Sequence, residues 1–440
     1  MKTNLSRRYF LAAGAVLGGI PTFLPNLLHG EEAPSERLRF AHIGLGGMGC
    51  ADVQGHRHLA ELVGLCDVDA QRLQSAAKQF QTPSELCYAD YRRILDRDDV
   101  DVVSCSTPDH WHVKICIEAL QAGKHVFCQK PLTLTVEEGF LIRKACEKYR
   151  KTFQVGTQQR DDTQRFLRAV NMAHKGILGK IHTVTVGLPT SPRSRDICGP
   201  FEPSPVPEEL DWNTWLGQAP WTEYIRQRCH GTFRYWFEYA SGVIADWGAH
   251  HVDIALWLLR EDKKGCGPLS VDGTESVCAV DFHDGIPSSD RYYNTPIDFR
   301  FVCPFASGAT LIITNKADNG LLVEGEKGRI FVNRERITGQ PIEEAWDQDQ
   351  YTEEDKRRLF KGKNPSWHKA NFYQCIREGG LTVSDPFSHV QAMTVCHLCG
   401  IAARLKRKFI WDPVAETIVG DDLAKSFLQR PQRKGFEIHV

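Results

Sequence analysis

Lys130 follows the short apolar run His125-Val126-Phe127-Cys128 and is succeeded at once by Pro131 and the helix-like stretch after Leu132. An amine held at the carboxyl end of a strand can donate to a substrate oxygen and stabilise developing negative charge. Nearer the N-terminus, Gly44-Leu45-Gly46-Gly47-Met48-Gly49 stands directly after another apolar run. In such a loop Gly44 permits a tight turn, Gly46 lets backbone approach a pyrophosphate, and Gly49 lets the following helix pack on its strand. Asp67, 18 residues beyond Gly49, ends the next apolar run. A carboxylate there accepts hydrogen bonds from a ribose. Together these residues predict dinucleotide binding. The carboxylate would repel a 2′-phosphate and favours NAD over NADP, while Arg72 close by keeps NADP open.

Two further groups carry chemistry. Ser106-Thr107-Pro108-Asp109-His110-Trp111-His112 follows a later strand, where a turn would border the nicotinamide half of a bound cofactor. Pro108 sets the chain direction; His110 and His112 read equally well as helix-start residues and as site residues. Further on, Asp246 and His250 are four residues apart in a helical pattern, hence on one face. The plain alternative is a capping aspartate and a packed histidine.

These residues need elements to hold them. From residue 38 to 157 short apolar runs alternate with helical patterns: strands at 38–43, 62–66, 100–104, 125–128 and 153–155, and helices at 47–58, 70–80, 110–121 and 136–150. That alternation predicts a parallel, doubly wound sheet with ligands at the carboxyl strand ends. After residue 158 the pattern changes. A helix at 163–174 and a strand at 181–188 precede an irregular stretch, 189–207. Strands at 276–282, 297–302, 309–314, 321–324 and 329–332 suggest a mainly antiparallel sheet. A helix at 243–259 precedes that sheet, late helices cover 366–378 and 388–405, and the charged run 343–363 reads as a surface insertion. The chain therefore divides into residues 1–33, a dinucleotide domain at 35–157 and a substrate and assembly domain at 158–440.

Composition agrees with two folded domains. The chain has 440 residues, 42% apolar and 25% charged, with a formal net charge of -1. Near-neutral charge gives no electrostatic case for nucleic acid. Ser6-Arg7-Arg8-Tyr9-Phe10-Leu11 before a Gly/Ala-rich apolar run reads as a twin-arginine export signal, placing the protein in the periplasm and linking it to the membrane only through that signal. An N-terminal membrane anchor is the alternative. The 15 cysteines are an odd, scattered set and not a disulfide framework; export of a cytosol-folded chain accommodates reduced thiols. Cys66, Cys105, Cys116 and Cys128 read as small buried hydrophobes, and Cys396-His397-Leu398-Cys399 as helix packing in preference to a metal site. His250, His251 and Asp253 do not form a standard ligand pattern, and no metal is expected.

With these motifs in place, the chain resembles the Gfo/Idh/MocA oxidoreductase family. The carrying residues are the glycine loop, Thr107-Pro108-Asp109-His110-Trp111-His112, Ala122-Gly123-Lys124-His125-Val126-Phe127-Cys128-Gln129-Lys130-Pro131-Leu132, and Gly242-Val243-Ile244-Ala245-Asp246-Trp247-Gly248-Ala249-His250-His251-Val252-Asp253. The tryptophan-rich middle and Trp411-Asp412-Pro413 look most like members of planctomycete type. The resemblance implies an α/β fold, an N-terminal Rossmann domain and a C-terminal α+β domain with an open sheet. It also implies an NAD(P)-dependent oxidoreductase acting on a secondary hydroxyl of a sugar, glycoside or polyol. By the same resemblance Lys130, Asp246 and His250 are the catalytic set. Gly44, Leu45, Gly46, Gly47, Met48, Gly49, Asp67, Thr107, Pro108, His112, Gln129 and Lys130 hold the cofactor. Around a sugar we expect Gln158, Arg160, Arg234, Tyr235, Trp236 and Tyr239, with His251 as a further contact, and copies of the chain are expected to assemble as a dimer or tetramer. Two other readings stay open: a redox-neutral glycosidase that oxidises C3 transiently, and a binding module without catalysis. Gln129 stands where the family usually has glutamate, which removes a negative charge beside the lysine. Lys130-Pro131 is open to a cis peptide.

Overall fold

Five residues, Arg39–Ile43 (β1), begin a six-stranded sheet that puts every residue of the glycine loop at a strand end. The chain is described here by a computed structural model, over residues 37–190, 192, 197–344 and 351–440. The export-signal reading of residues 1–33 falls outside the described residues. Leu38–Val440 pack as one continuous unit. Among the described residues no helix is long and apolar enough to cross a membrane.

The first sheet adds Glu61–Cys66 (β2), Cys87–Tyr88 (β3), Val102–Cys105 (β4), His125–Gln129 (β5) and Phe153–Gly156 (β6) in the order β3-β2-β1-β4-β5-β6, with all pairs parallel. Its strands are buried on both faces, which is why they read as nearly unbroken apolar runs. Helices Gly47–Arg57 (α1) and Ala70–Phe80 (α2) cover one face, and Asp109–Gln121 (α3) and Val136–Tyr149 (α4) the other. The strand order reverses between β1 and β4, and a crevice at such a switch point is where this architecture binds its ligand.

After α4 the chain builds Phe166–His174 (α5), Ile181–Gly187 (β7), Gly242–Asp246 (α6) and Gly248–Leu259 (α7). Eight further strands follow: Ser270–Asp272 (β8), Arg300–Pro304 (β9), Thr310–Thr314 (β10), Gly320–Gly325 (β11), Gly328–Val332 (β12), Ile337–Thr338 (β13), Lys408–Asp412 (β14) and Thr417–Val419 (β15). With β7 they form a nine-stranded sheet in the order β13-β12-β11-β7-β10-β9-β8-β14-β15, parallel only between β7 and β10. Helices α5 and α7 and the long Pro386–Leu405 (α9) bury one face of it. Thr183, Thr185, Val302, Ile312, Leu322 and Phe331 alternate onto the other face and stay half-exposed. His368–Glu378 (α8) turns back to the first sheet, where Phe372 and Tyr373 pack with Phe40 and Phe127.

Several expectations change. The helix expected over 243–259 is two helices, broken at Trp247, so Asp246 and His250 share no continuous helical face. The strand expected over 276–282 is two short fragments outside the nine-stranded sheet, Val277–Cys278 and Phe282–His283. The charged run at 343–363 is not a simple surface insertion: Leu359 and Phe360 close its helix into the main core. Residues 345–350 of that run lie outside the described residues. All 15 cysteines are free, and Cys396 packs so tightly on Gly248 that a Cβ there would sit 2.8 Å from its Sγ.

Arg160 is the clearest correction. It belongs not to a sugar pocket but to a buried clamp: Nε donates to Asp253 Oδ2 at 2.5 Å and Nη2 to Oδ1 at 3.0 Å. His389 Nδ1 lies 3.4 Å from the same carboxylate. The clamp joins the end of β6 to α7 and α9, and its side chains are 0–1% exposed. Removing one partner of a buried pair strands the other charge. Arg160→Ala is therefore expected to cost about 3–5 kcal/mol of stability, read as a lowered denaturant midpoint.

Candidate active site

The glycine loop is fixed by its own backbone. Gly44 has φ +91°, donates its N–H to Cys66 O at 2.8 Å, and a Cβ on it would lie 2.7 Å from Thr107 N. A Cβ on Gly49 would fall 1.9 Å from Gly44 O, so only glycine lets α1 start here. Gly47 faces open space and Met48 is exposed. Near Gly46 the one close group is Arg72 Nη1, 3.1 Å from where a Cβ would stand. This cradle, bare of side chains at a helix N-terminus and flanked by Asp67, suits the pyrophosphate and ribose of a dinucleotide. Asp67 accepts from Leu45 N at 2.7 Å and Asp69 N at 2.9 Å, which fixes its carboxyl at the wall of the cavity. Burial raises its pKa in spite of those bonds.

The cavity runs from this loop past Thr107, Pro108 and Asp109 to Gln129 and Lys130. Lys130 follows β5, and its peptide bond to Pro131 is cis. Its Nζ donates to Asp246 Oδ1 at 2.6 Å and to Asp246 O at 2.9 Å. Arg234 Nε adds a bond to Asp246 Oδ1 at 3.3 Å. Burial pushes the Asp246 carboxyl upward, but Lys130 and Arg234 outweigh it and hold the group below its ordinary range. Burial, reinforced by the positive charges of Lys130 and Arg334, drives His250 well below the usual histidine value. Its imidazole is neutral near pH 7, and its buried Nδ1 has no hydrogen-bond partner among the described residues.

Other predicted residues hold the walls. His112 is buried, with Nδ1 2.6 Å from Pro131 O and Nε2 2.9 Å from Thr107 O. It therefore ties together the loops after β4 and β5 and is not a cavity wall itself. Cys105, Cys128 and His112 place donor atoms within 4.8 Å of one another, but both ring nitrogens already face carbonyl oxygens. Gln129 donates from Nε2 to Asp52 Oδ2 at 2.8 Å. Ser106 Oγ bonds the same oxygen at 2.7 Å, and Lys369 Nζ from α8 pairs with Oδ1 at 2.8 Å.

The expected sugar contacts separate. Trp236 is fully buried, its indole N–H donates to Gln227 O, and the Arg228 guanidinium lies over its ring. Tyr239 is likewise fully buried. Neither offers a face to a sugar, because both belong to a separate aromatic core with Trp212, Trp215 and Tyr293. His251 Nε2 meets Asn319 Oδ1 at 2.9 Å, and burial lowers its pKa to about 4. Gln158 begins a short turn after β6 and is partly buried, outside the residues lining the cofactor cavity. Tyr235 is half-buried against Tyr293. Sequence reasoning missed Arg334, whose guanidinium stacks over Trp247 beside the helix break. It also missed Asp109, the first residue of α3, which is 4% exposed on the cavity wall. The Pro-Asp pair at a helix start was the available signal.

A strap covers the cavity opposite the glycine loop. Ala70 N donates to Glu209 O at 2.8 Å, Asp211 N to Val68 O at 3.1 Å, and His230 Nε2 lies 3.2 Å from Asp69 Oδ2. Thr214, Trp215, His230, Gly231, Phe233 and Arg234 line that side.

A doubly wound domain with this loop, joined to an open-sheet domain that returns a carboxylate to its strand-end lysine, defines an NAD-binding oxidoreductase. The chain belongs to the Gfo/Idh/MocA oxidoreductase family: residues 38–157 match its NAD-binding Rossmann fold, and residues 172–438 match its C-terminal alpha/beta domain. Among curated proteins, the chain is 32% identical over 205 residues to an alpha-N-acetylgalactosaminidase of Shewanella oneidensis. It is 31% identical over 205 residues to a glycosyl hydrolase family 109 protein of Shewanella sp. strain ANA-3. Each match covers 40% of this chain and 44% of the relative, so the chain spans less than half the length of the curated relatives it matches. Among solved structures, levoglucosan dehydrogenase with NADH and levoglucosan superposes with a TM-score of 0.57 at 20% identity, covering 87% of this chain and 100% of the other. The WlbA dehydrogenase of Bordetella pertussis, with NADH and UDP-GlcNAcA, gives 0.58 at 20% identity, covering 84% and 98%. At such identities these two likenesses speak for the fold.

Two outcomes follow from this geometry. Gly49→Ala should abolish NAD binding, measured by calorimetry, because its methyl group would collide with the Gly44 carbonyl. Burial pushes the Asp109 carboxyl up to about 6, with His112 and Arg234 opposing that rise. An unfolded aspartate titrates near about 3.9, so the folded chain loses stability as pH rises from there to about 6. Asp109→Asn should accordingly raise the melting temperature at pH 7.5, by roughly 1–3 kcal/mol of stability, with the gain shrinking toward pH 4.

Proposed function

We propose that this protein oxidises a secondary hydroxyl of a sugar, glycoside or polyol, with NAD as hydride acceptor. The observation that carries the reading is the 2.6 Å bond from Lys130 to Asp246 at the end of the glycine-loop cavity. Asp246, held as a carboxylate, aims the Lys130 ammonium, which donates to the substrate oxygen and stabilises its alkoxide character. His250, a neutral imidazole, takes the hydroxyl proton. NAD supplies the site that accepts the hydride from the carbinol carbon. Asp67 at the ribose wall favours NAD over NADP. Arg334, stacked over Trp247, provides a guanidinium for sugar hydroxyls.

A second reading, redox-neutral cleavage of a glycoside, draws on the strap from Glu209 to Arg234. A covered cofactor exchanges slowly, which suits a cycle in which the same dinucleotide is reduced and reoxidised. The curated relatives, named as a glycosyl hydrolase family 109 protein and an alpha-N-acetylgalactosaminidase, point the same way. We also assign the half-exposed face of the nine-stranded sheet to assembly between copies of the chain, and residues 1–33 to twin-arginine export into the periplasm.

Purified protein offered a panel of free sugars and glycosides, with NADH and products followed together, separates the two readings. Steady NADH release from a free sugar supports net oxidation. Glycoside cleavage without net NADH supports the recycling form, and neither outcome with any sugar removes both. Lys130→Ala should lower kcat/KM by about 10²–10⁴.

A further inference from the structure

Asp109 is a carboxyl that the oxidation step leaves without a task. It lines the same cavity as Lys130 and Gln129, one turn of chain from Thr107, and is nearly sealed from solvent. The other carboxyl among the described cavity residues is Asp67, whose two oxygens are bonded to backbone N–H groups on the ribose side. Among the described residues the Asp109 side chain makes no hydrogen bond or ion pair. The charged groups facing it are His112 on its own helix, Arg234 from the strap, Asp246 at the end of α6 and Lys130 after β5. An acid placed at a helix N-terminus ordinarily titrates low. Here burial overrides the helix and leaves the group near 6, where it can both take and return a proton close to neutrality.

We propose that Asp109 is the base that removes the proton from the sugar carbon next to a ketone, and the acid that then protonates the departing oxygen. This rests on the redox-neutral reading above. The C2–H bond breaks, its proton goes to the Asp109 carboxylate, and its electron pair moves onto the C3 oxygen, which faces the Lys130 ammonium. The pair returns to form C1=C2 as the C1–O bond breaks, and the leaving oxygen takes the proton from Asp109. Carbon, oxygen and proton balance within the substrate and this one carboxyl, and no net oxidant is consumed.

The test supplies the ketone directly, as para-nitrophenyl 3-ketoglucoside, so that elimination needs no hydride step. The full chain should release nitrophenolate and exchange the C2 hydrogen in D₂O. Asp109→Asn should slow both at least 100-fold, and Asp109→Glu should recover part of the rate. Aspartate labelled with ¹³C at the carboxyl should show one resonance titrating near pH 6 in the wild type that is missing in Asp109→Asn, a readout independent of turnover. Elimination by Asp109→Asn within tenfold of the wild type overturns the assignment and leaves the redox-neutral reading standing. A wild type no faster than buffer overturns that reading and the assignment with it, while sugar-dependent NAD reduction remains separately measurable. Absence of the titrating resonance in the wild type also overturns the assignment.

Discussion

A single ion pair holds the reacting end of this molecule together. Lys130 belongs to the first sheet and Asp246 to a helix of the second, and both are largely withdrawn from water. A charge moved out of water requires a partner, and Lys130 finds its carboxylate only when the two sheets are in register, while Asp246 also has Arg234. The same contact that aims the amine is thus a condition on how the halves pack. The Arg160–Asp253–His389 clamp sets a second such condition deeper in the interface. Two buried charge contacts along one seam leave little freedom for the sheets to slide.

Beneath the cofactor loop lies a third buried charge. Asp52 on α1 is bonded by Ser106 after β4 and Gln129 at the end of β5, and its charge is met by Lys369 from α8. Glutamine at position 129 has a physical reason in this setting. A glutamate there would set a second carboxylate against Asp52 with one lysine to serve both. Gln129 instead donates its amide, and the negative charge sits one residue deeper, beside the phosphate helix and not beside Lys130.

Much of the first sheet was legible because buried parallel strands leave unbroken apolar runs and the glycine loop has a steric cause at each essential position. Lys130 was placed at a strand end by the same strong pattern, whereas Asp246 was singled out through the family resemblance, since its position at a helix end was not visible in the sequence. What escaped was whatever depended on tertiary contacts. Trp236 and Arg160 have the composition of sugar contacts, yet one fills an aromatic core and the other answers a buried aspartate, and neither partner is near in sequence. The break at Trp247 was hidden because Gly242–Leu259 is apolar throughout, so its periodicity could not reveal two helices. Asp109 was passed over because its neighbours His110 and His112 are the more familiar acid–base residues, and both turn out to be bonded to backbone carbonyls.

The strap has a consequence for the life history of the protein. Its backbone hydrogen bonds to residues 68–70 make it an extension of the cofactor domain and not a loose flap. That side of the cofactor cavity is complete only once the segment has docked on residues 68–70, so a folding intermediate holding the first sheet alone would present a half-built site.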